Sequence, residues 1–222
     1  MKLLSSLVIS SFLFAPCLYA EQKPVNNLED AHSLFWERLY PKTGWTLYCG
    51  EFFDNKKDIA IEQVYPMSWV IKHLNCRDAK NCREKSENYS RIETDLHNMY
   101  PVLNTINKAR ADYQFGDIPD EYREFFECDF EREVQTKTVE PRSLAKGNIA
   151  RSILYMHSMY HLPVDPAVLR QFVEWHLSDP PSKDEIRRNN IIELSQGTRN
   201  TFIDSPDQAK VLLSHIEDNG IF

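Results

Sequence analysis

Between residues 27 and 39 the apolar side chains fall at Leu28, Ala31, Leu34, Phe35 and Leu39, the three-to-four spacing of one helix face, and Pro41 ends the run. The period then changes. Thr46–Gly50 (TLYCG) and Ile59–Val64 (IAIEQV) are short β-prone runs on either side of the polar turn Asp54-Asn55-Lys56-Lys57, a pattern that predicts a hairpin. Helical spacing returns at Ile92, Leu96, Met99, Leu103 and Ile106 and predicts a helix carrying Asn98, so this stretch is expected to run strand, strand, helix. Farther on, CDFERE from Cys128 and TKTVEP from Thr136 predict a strand pair. Ser143–His157, Ala167–Leu177 and a run from the capping-box sequence Ser182-Lys183-Asp184-Glu185 to Gln196 predict three more helices. The fold class is therefore α+β, a mostly helical single domain with a small antiparallel sheet.

Residues 1–20 change the picture at the N-terminus. Lys2 followed by LLSSLVISSFLFAPCLYA has the charged start, apolar run and small last residue of a secretory signal and is short for a membrane span. The mature domain is expected to cover residues 21–222, to be periplasmic or secreted, and to have no stable membrane association. Processing as a lipoprotein through Cys17 is the weaker alternative, because Pro16 is unsuited to that site. Beyond the leader four cysteines remain, and an even number in an exported chain implies disulfides. Of the three connectivities, the short CRDAKNC loop favours Cys76 with Cys82, leaving Cys49 with Cys128. A zinc site is the competing reading, but it lacks a CxxC pair or a histidine cluster.

Hydrophobic residues make up 42% of the chain, enough for one good core, and no linker or repeat divides it. A monomer is the expectation. Without the leader there are 25 basic and 33 acidic side chains, a formal charge of −8. That balance excludes a broad basic face of the kind that drives non-specific nucleic-acid affinity, so positive charge for such a ligand would have to be local.

A series of short words then gives the chain a likeness. TLYCG at Thr46, EQVYPMSW at Glu62, DLHN at Asp95, YQFG at Tyr113, CDF at Cys128, VEPR at Val139, KGNIAR at Lys146, LYM at Leu154 and QGTRNTFID at Gln196 resemble, in order, the words of the bacterial endonuclease I family of ββα-metal (His-Me finger) nucleases. The resemblance implies a ββα-metal core and a metal-dependent endonuclease acting on DNA, and on RNA as well, with little sequence preference and leaving 5′-phosphate ends. It implies Mg2+, with Mn2+ or Ca2+ as substitutes, held by Glu62 and Asn98. Hard divalent cations of this kind take oxygen ligands and keep several waters.

One word departs from the family. Where the family has a general-base histidine after the metal-binding glutamate, this chain has Gln63. Glutamine cannot take a proton from water, although it can orient one. Gln63 is therefore expected to position the attacking water, with Arg142 or Arg151 assisting the phosphate and Lys146 and Arg199 contacting nucleic acid. For each of these cations the competing reading is an ion pair or a solvated surface. Because of Gln63, a catalytically weakened or inactive exported protein that binds nucleic acid or another protein is the alternative function. His97 is expected to be structural, and Asp95 and Glu93 to be capping or supporting groups. His73, near the cysteine loop, is a substitute base if it reaches the groove.

Overall fold

The computed structural model describes residues 25–119 and 124–218. The leader and its cleavage site lie outside the described residues.

Asn27 caps the first helix by accepting from the Asp30 amide. That helix, α1 (Leu28–Leu34), continues into a π-turn at Phe35–Leu39, so the 28/31/35/39 stripe packs as the sequence predicts. The expected hairpin does not form. TLYCG is a turn flanked by a two-residue ladder of β1 (Gly44–Trp45) with β2 (Phe52–Phe53). The strand β3 (Ile59–Gln63) pairs instead with β4 (Met99–Leu103), antiparallel, with Glu62 opposite Tyr100.

That pairing corrects the helix expected across residues 92–106. Pro101 lies in its middle, where it has no N–H to donate and its ring clashes with the preceding turn; it also biases Tyr100 toward extended backbone. The segment breaks into α4 (Glu87–Glu93), a 3₁₀ turn at Leu96–Asn98, β4, and α5 (Asn104–Arg110). Between β3 and α4 lie α2 (Met67–His73) and α3 (Ala79–Lys85), clipped together by the Cys76–Cys82 disulfide.

A three-stranded sheet comes from the predicted strand pair, β6 (Phe130–Glu133) with β7 (Thr138–Pro141), which gains a parallel edge strand, β5 (Gln114–Phe115). Its anchor to the TLYCG turn is the Cys49–Cys128 disulfide, as expected. The helices α6 (Ser143–Tyr160), α7 (Pro166–Ser178) and α8 (Lys183–Gln196) follow the sequence expectation, and α8 opens on a capping box between Ser182 and Glu185. Two further helices, α9 (Thr201–Asp204) and α10 (Gln208–Asp218), follow α8 beyond the elements the sequence predicts.

The main core gathers Tyr48, Tyr65, Ile92, Val102, Phe130, Ile149, Ile153, Leu154 and Phe172 between the strands and α6–α7, while a smaller cluster seats Phe35 and Leu39 on Leu96, Met99 and Ile192. Gly147 lets α6 approach the loop after α7, because a Cβ there would collide with the backbone of Asp179.

Candidate active site

β3 and α5 meet over a groove of about 440 Å³ lined by Glu62, Gln63, Met67, Ser68, Asn107 and Arg110. Glu62 alternates inward on β3 and is almost fully buried. The Tyr48 hydroxyl donates to its Oε1 at 2.9 Å, and Arg110 Nη1 lies 3.5 Å from the same oxygen. Burial raises the Glu62 carboxyl above the usual carboxylate range, with the Arg110 charge and the Tyr48 hydrogen bond opposing that rise. Burial and the facing carboxylate push the Tyr48 hydroxyl well above the usual tyrosine value, so it stays a donor.

Arg110 is locked in place. Its Nη2 donates to the Val64 carbonyl at 2.8 Å, and its guanidinium stacks 4.6 Å from the Phe115 ring centre and 5.9 Å from that of Trp69. It holds Glu62 from behind and is not free to follow a substrate. Asn107, three residues earlier on α5, is half-buried and makes no side-chain hydrogen bond among the described residues. Gln63 donates from Nε2 to the Glu93 carbonyl at 2.8 Å. Its amide carbonyl makes no hydrogen bond among the described residues, and such an oxygen can accept a hydrogen bond from water but not its proton.

The structure does not bring Asn98 into this groove. Asn98 is fully buried, its Oδ1 accepting from the Tyr65 amide at 2.7 Å and its Nδ2 donating to the Tyr65 carbonyl at 2.9 Å. It clamps the exit of β3 and has no free oxygen for a metal. The asparagine that shares the groove with Glu62 is Asn107, which the sequence reading missed because it placed the helix one strand too early. Pro101 is the signal that would have found it. No group of three His, Cys, Asp or Glu side chains is positioned for a metal among the described residues. The buried Glu62 carboxylate, the unpartnered Asn107 amide and the exposed Asp112 carboxylate, which accepts from Ser68 at 3.2 Å, nevertheless line one groove with oxygen donors, a set that fits a hard, hydrated divalent cation.

The predicted basic residues lie elsewhere. Arg151 is wholly buried on α6 and forks onto Glu185, Nε to Oε1 at 2.6 Å and Nη2 to Oε2 at 2.9 Å. Lys146 is held between Asp117 at 2.7 Å and Glu140 at 2.6 Å. Arg199 forks onto Asp204 and also meets Glu193 at 2.8 Å. These three are tied into the fold, so the competing ion-pair reading holds for each. Arg142 donates to the Leu47 carbonyl at 3.3 Å and lines a different groove, with Trp45, Asn148 and Arg187.

His97 is structural as expected. Its Nε2 contacts the Thr198 carbonyl at 3.2 Å, and burial lowers its pKa to about 4. Asp95 accepts from Tyr155, Tyr160, Gln196 and the His97 amide, a fully engaged buried carboxylate. Glu93 takes a bidentate Arg83. His73 lines a neighbouring cavity and not the Glu62 groove.

These features define a disulfide-bonded α+β domain carrying a carboxylate–amide groove. The chain belongs to the Endonuclease I family, whose sequence profile matches residues 19–207. An extracellular deoxyribonuclease of Aeromonas hydrophila is 33% identical over 168 residues, 72% of this chain and 70% of that protein. Endonuclease-1 of Buchnera aphidicola subsp. Acyrthosiphon pisum (strain APS) is 30% identical over 145 residues, and the matched part spans only 58% of its length. An extracellular ribonuclease of Bacillus amyloliquefaciens is 30% identical over 138 residues, 52% of this chain and 45% of that protein.

Proposed function

We propose that the protein is an exported, metal-dependent endonuclease that hydrolyses DNA and RNA phosphodiesters at the Glu62 groove, leaving 5′-phosphate ends. The observation that carries this reading is the meeting of Glu62 on β3 with Asn107 on α5 in one groove, in a chain of the Endonuclease I family. The β3–β4–α5 unit serves as the ββα-metal core. Glu62 and Asn107 would hold Mg2+, with Mn2+ or Ca2+ as substitutes; when bound, the ion would supply positive charge against the phosphate and the leaving oxygen. Tyr48 and Arg110 orient Glu62 and oppose the effect of burial on its charged form. The Gln63 carbonyl orients the attacking water by accepting one of its hydrogens. The reading also takes the mature chain to be a periplasmic or secreted monomer, and no helix among the described residues is long and apolar enough to cross a membrane.

Gln63 itself favours a second reading, a nucleic-acid binder on the same scaffold, since no side chain lining the groove is a histidine. Plasmid and RNA degradation by the oxidised mature protein separates the two. Mg2+-dependent cleavage, silenced by EDTA and reduced at least a hundredfold in Glu62→Ala, supports the nuclease. No cleavage by the wild type, with cleavage gained in Gln63→His, sinks the nuclease reading and supports the binder.

A further inference from the structure

The first turn of α2 closes one end of the Glu62 groove with Met67 and Ser68. The same short helix contributes Trp69, Lys72 and His73 to a second cavity of about 430 Å³, whose far wall is built by Ile153, Val164, Val168 and Phe172. Tyr65 adds its ring to that wall, with its hydroxyl spent on the Pro163 carbonyl at 2.8 Å. Polar groups sit at the rim: Lys72, His73 and Gln114, all exposed, and Asp165, whose Oδ1 is engaged in capping α7 at the Ala167 amide, 2.9 Å away. Two contacts link the linings of the two spaces: the Arg110 guanidinium of the Glu62 groove lies 5.9 Å from the centre of the Trp69 ring, and within that groove Ser68 donates to Asp112 at 3.2 Å.

We propose that this cavity is a nucleobase subsite for single-stranded nucleic acid. A base leaves the stack and packs against Trp69, the adjoining phosphate meets Lys72, and the strand continues into the Glu62 groove. The proposal rests on the nucleic-acid reading of that groove. Apolar walls with an amide at the rim suit a flat heteroaromatic ring with a polar edge. The charge agrees: neither Lys72 nor His73 has an ion-pair partner among the described residues, whereas Lys146, Arg151 and Arg199 are consumed by carboxylates. Continuity agrees too, because one helix lines both spaces. A duplex would first have to unpair and unstack a base, so single strands are favoured.

The test is fluorescence anisotropy in EDTA, where nothing is cut. It uses a labelled ten-nucleotide single-stranded DNA, the same backbone with abasic spacers, and a duplex of equal length. The oxidised wild type should bind the natural strand about tenfold more tightly than the abasic one. Val168→Trp, which fills the cavity, should bind both strands alike and leave duplex affinity unchanged. Lys72→Glu should weaken single-strand binding and flatten its dependence on salt. Equal affinity of the wild type for natural and abasic strands overturns the proposal, as does the absence of single-strand binding. So does a folded Val168→Trp protein that still prefers the natural strand. If Val168→Trp does not fold, the abasic comparison and Lys72→Glu decide. Plasmid cleavage without base-dependent binding sinks the subsite alone, and base-dependent binding without cleavage sinks the nuclease reading alone.

Discussion

Asn98 and Asn107 carry the same side chain, and the fold uses them in opposite ways. Asn98 satisfies both backbone groups of Tyr65 inside the core. Asn98→Ala should therefore cost roughly 1–3 kcal/mol of stability, the penalty for stranding buried polar groups, and be detected as a lowered thermal midpoint. Asn107→Ala removes a half-buried amide with no partner among the described residues. It should shift stability by no more than about 0.5 kcal/mol while abolishing metal-dependent cleavage. An unchanged cleavage rate in Asn107→Ala would remove it from the site. Gln63→His tests the missing base. An imidazole there could donate one nitrogen to the Glu93 carbonyl, as Gln63 Nε2 does now, and offer the other to water. Cleavage should rise by about 10² to 10⁴ at neutral pH.

Between elements, the cations act as rivets. Arg151 on α6 and Glu185 at the start of α8 are both buried, and deleting one partner leaves the other charge unpaired in the interior. Arg151→Met should cost about 3–5 kcal/mol by urea denaturation, and pairing it with Glu185→Leu should recover much of the loss. Such rivets explain which parts of the molecule were legible in the sequence. Local signals are legible: the apolar spacing from Leu28 to Leu39, the Ser182–Glu185 capping box, and the short cysteine loop closed by Cys76 and Cys82. The β3–β4 pairing is not, because it joins strands far apart in the chain and hydrophobic spacing across Leu96, Met99 and Leu103 imitates a helix. The family words located Glu62 but could not say which cations were spent. Lys146 and Glu140 are near in sequence, yet Arg151 with Glu185 and Lys146 with Asp117 meet only after the helices and sheet assemble.

For the whole molecule, acid should loosen the fold through His97. Its native pKa of about 4 lies below the ordinary 6.5, so between those values the unfolded chain binds a proton that the folded one refuses. Stability therefore falls as pH drops through this window, by up to roughly 3 kcal/mol from His97 alone. His176, also buried and shifted down, adds to the same trend. Denaturant midpoints measured at pH 7 and pH 4.5 check it, and a stability that rises toward pH 4.5 would contradict it. The internal pairing of Lys146, Arg151 and Arg199 has a kinetic counterpart. A mature chain of formal charge −8 whose cations are partly turned inward repels a polyanion at long range. Raising ionic strength from about 0.01 to 0.1 M shortens the reach of that repulsion from about 30 to 10 Å. Encounter with DNA should then speed up before it slows, giving a stopped-flow association rate with a maximum at intermediate salt.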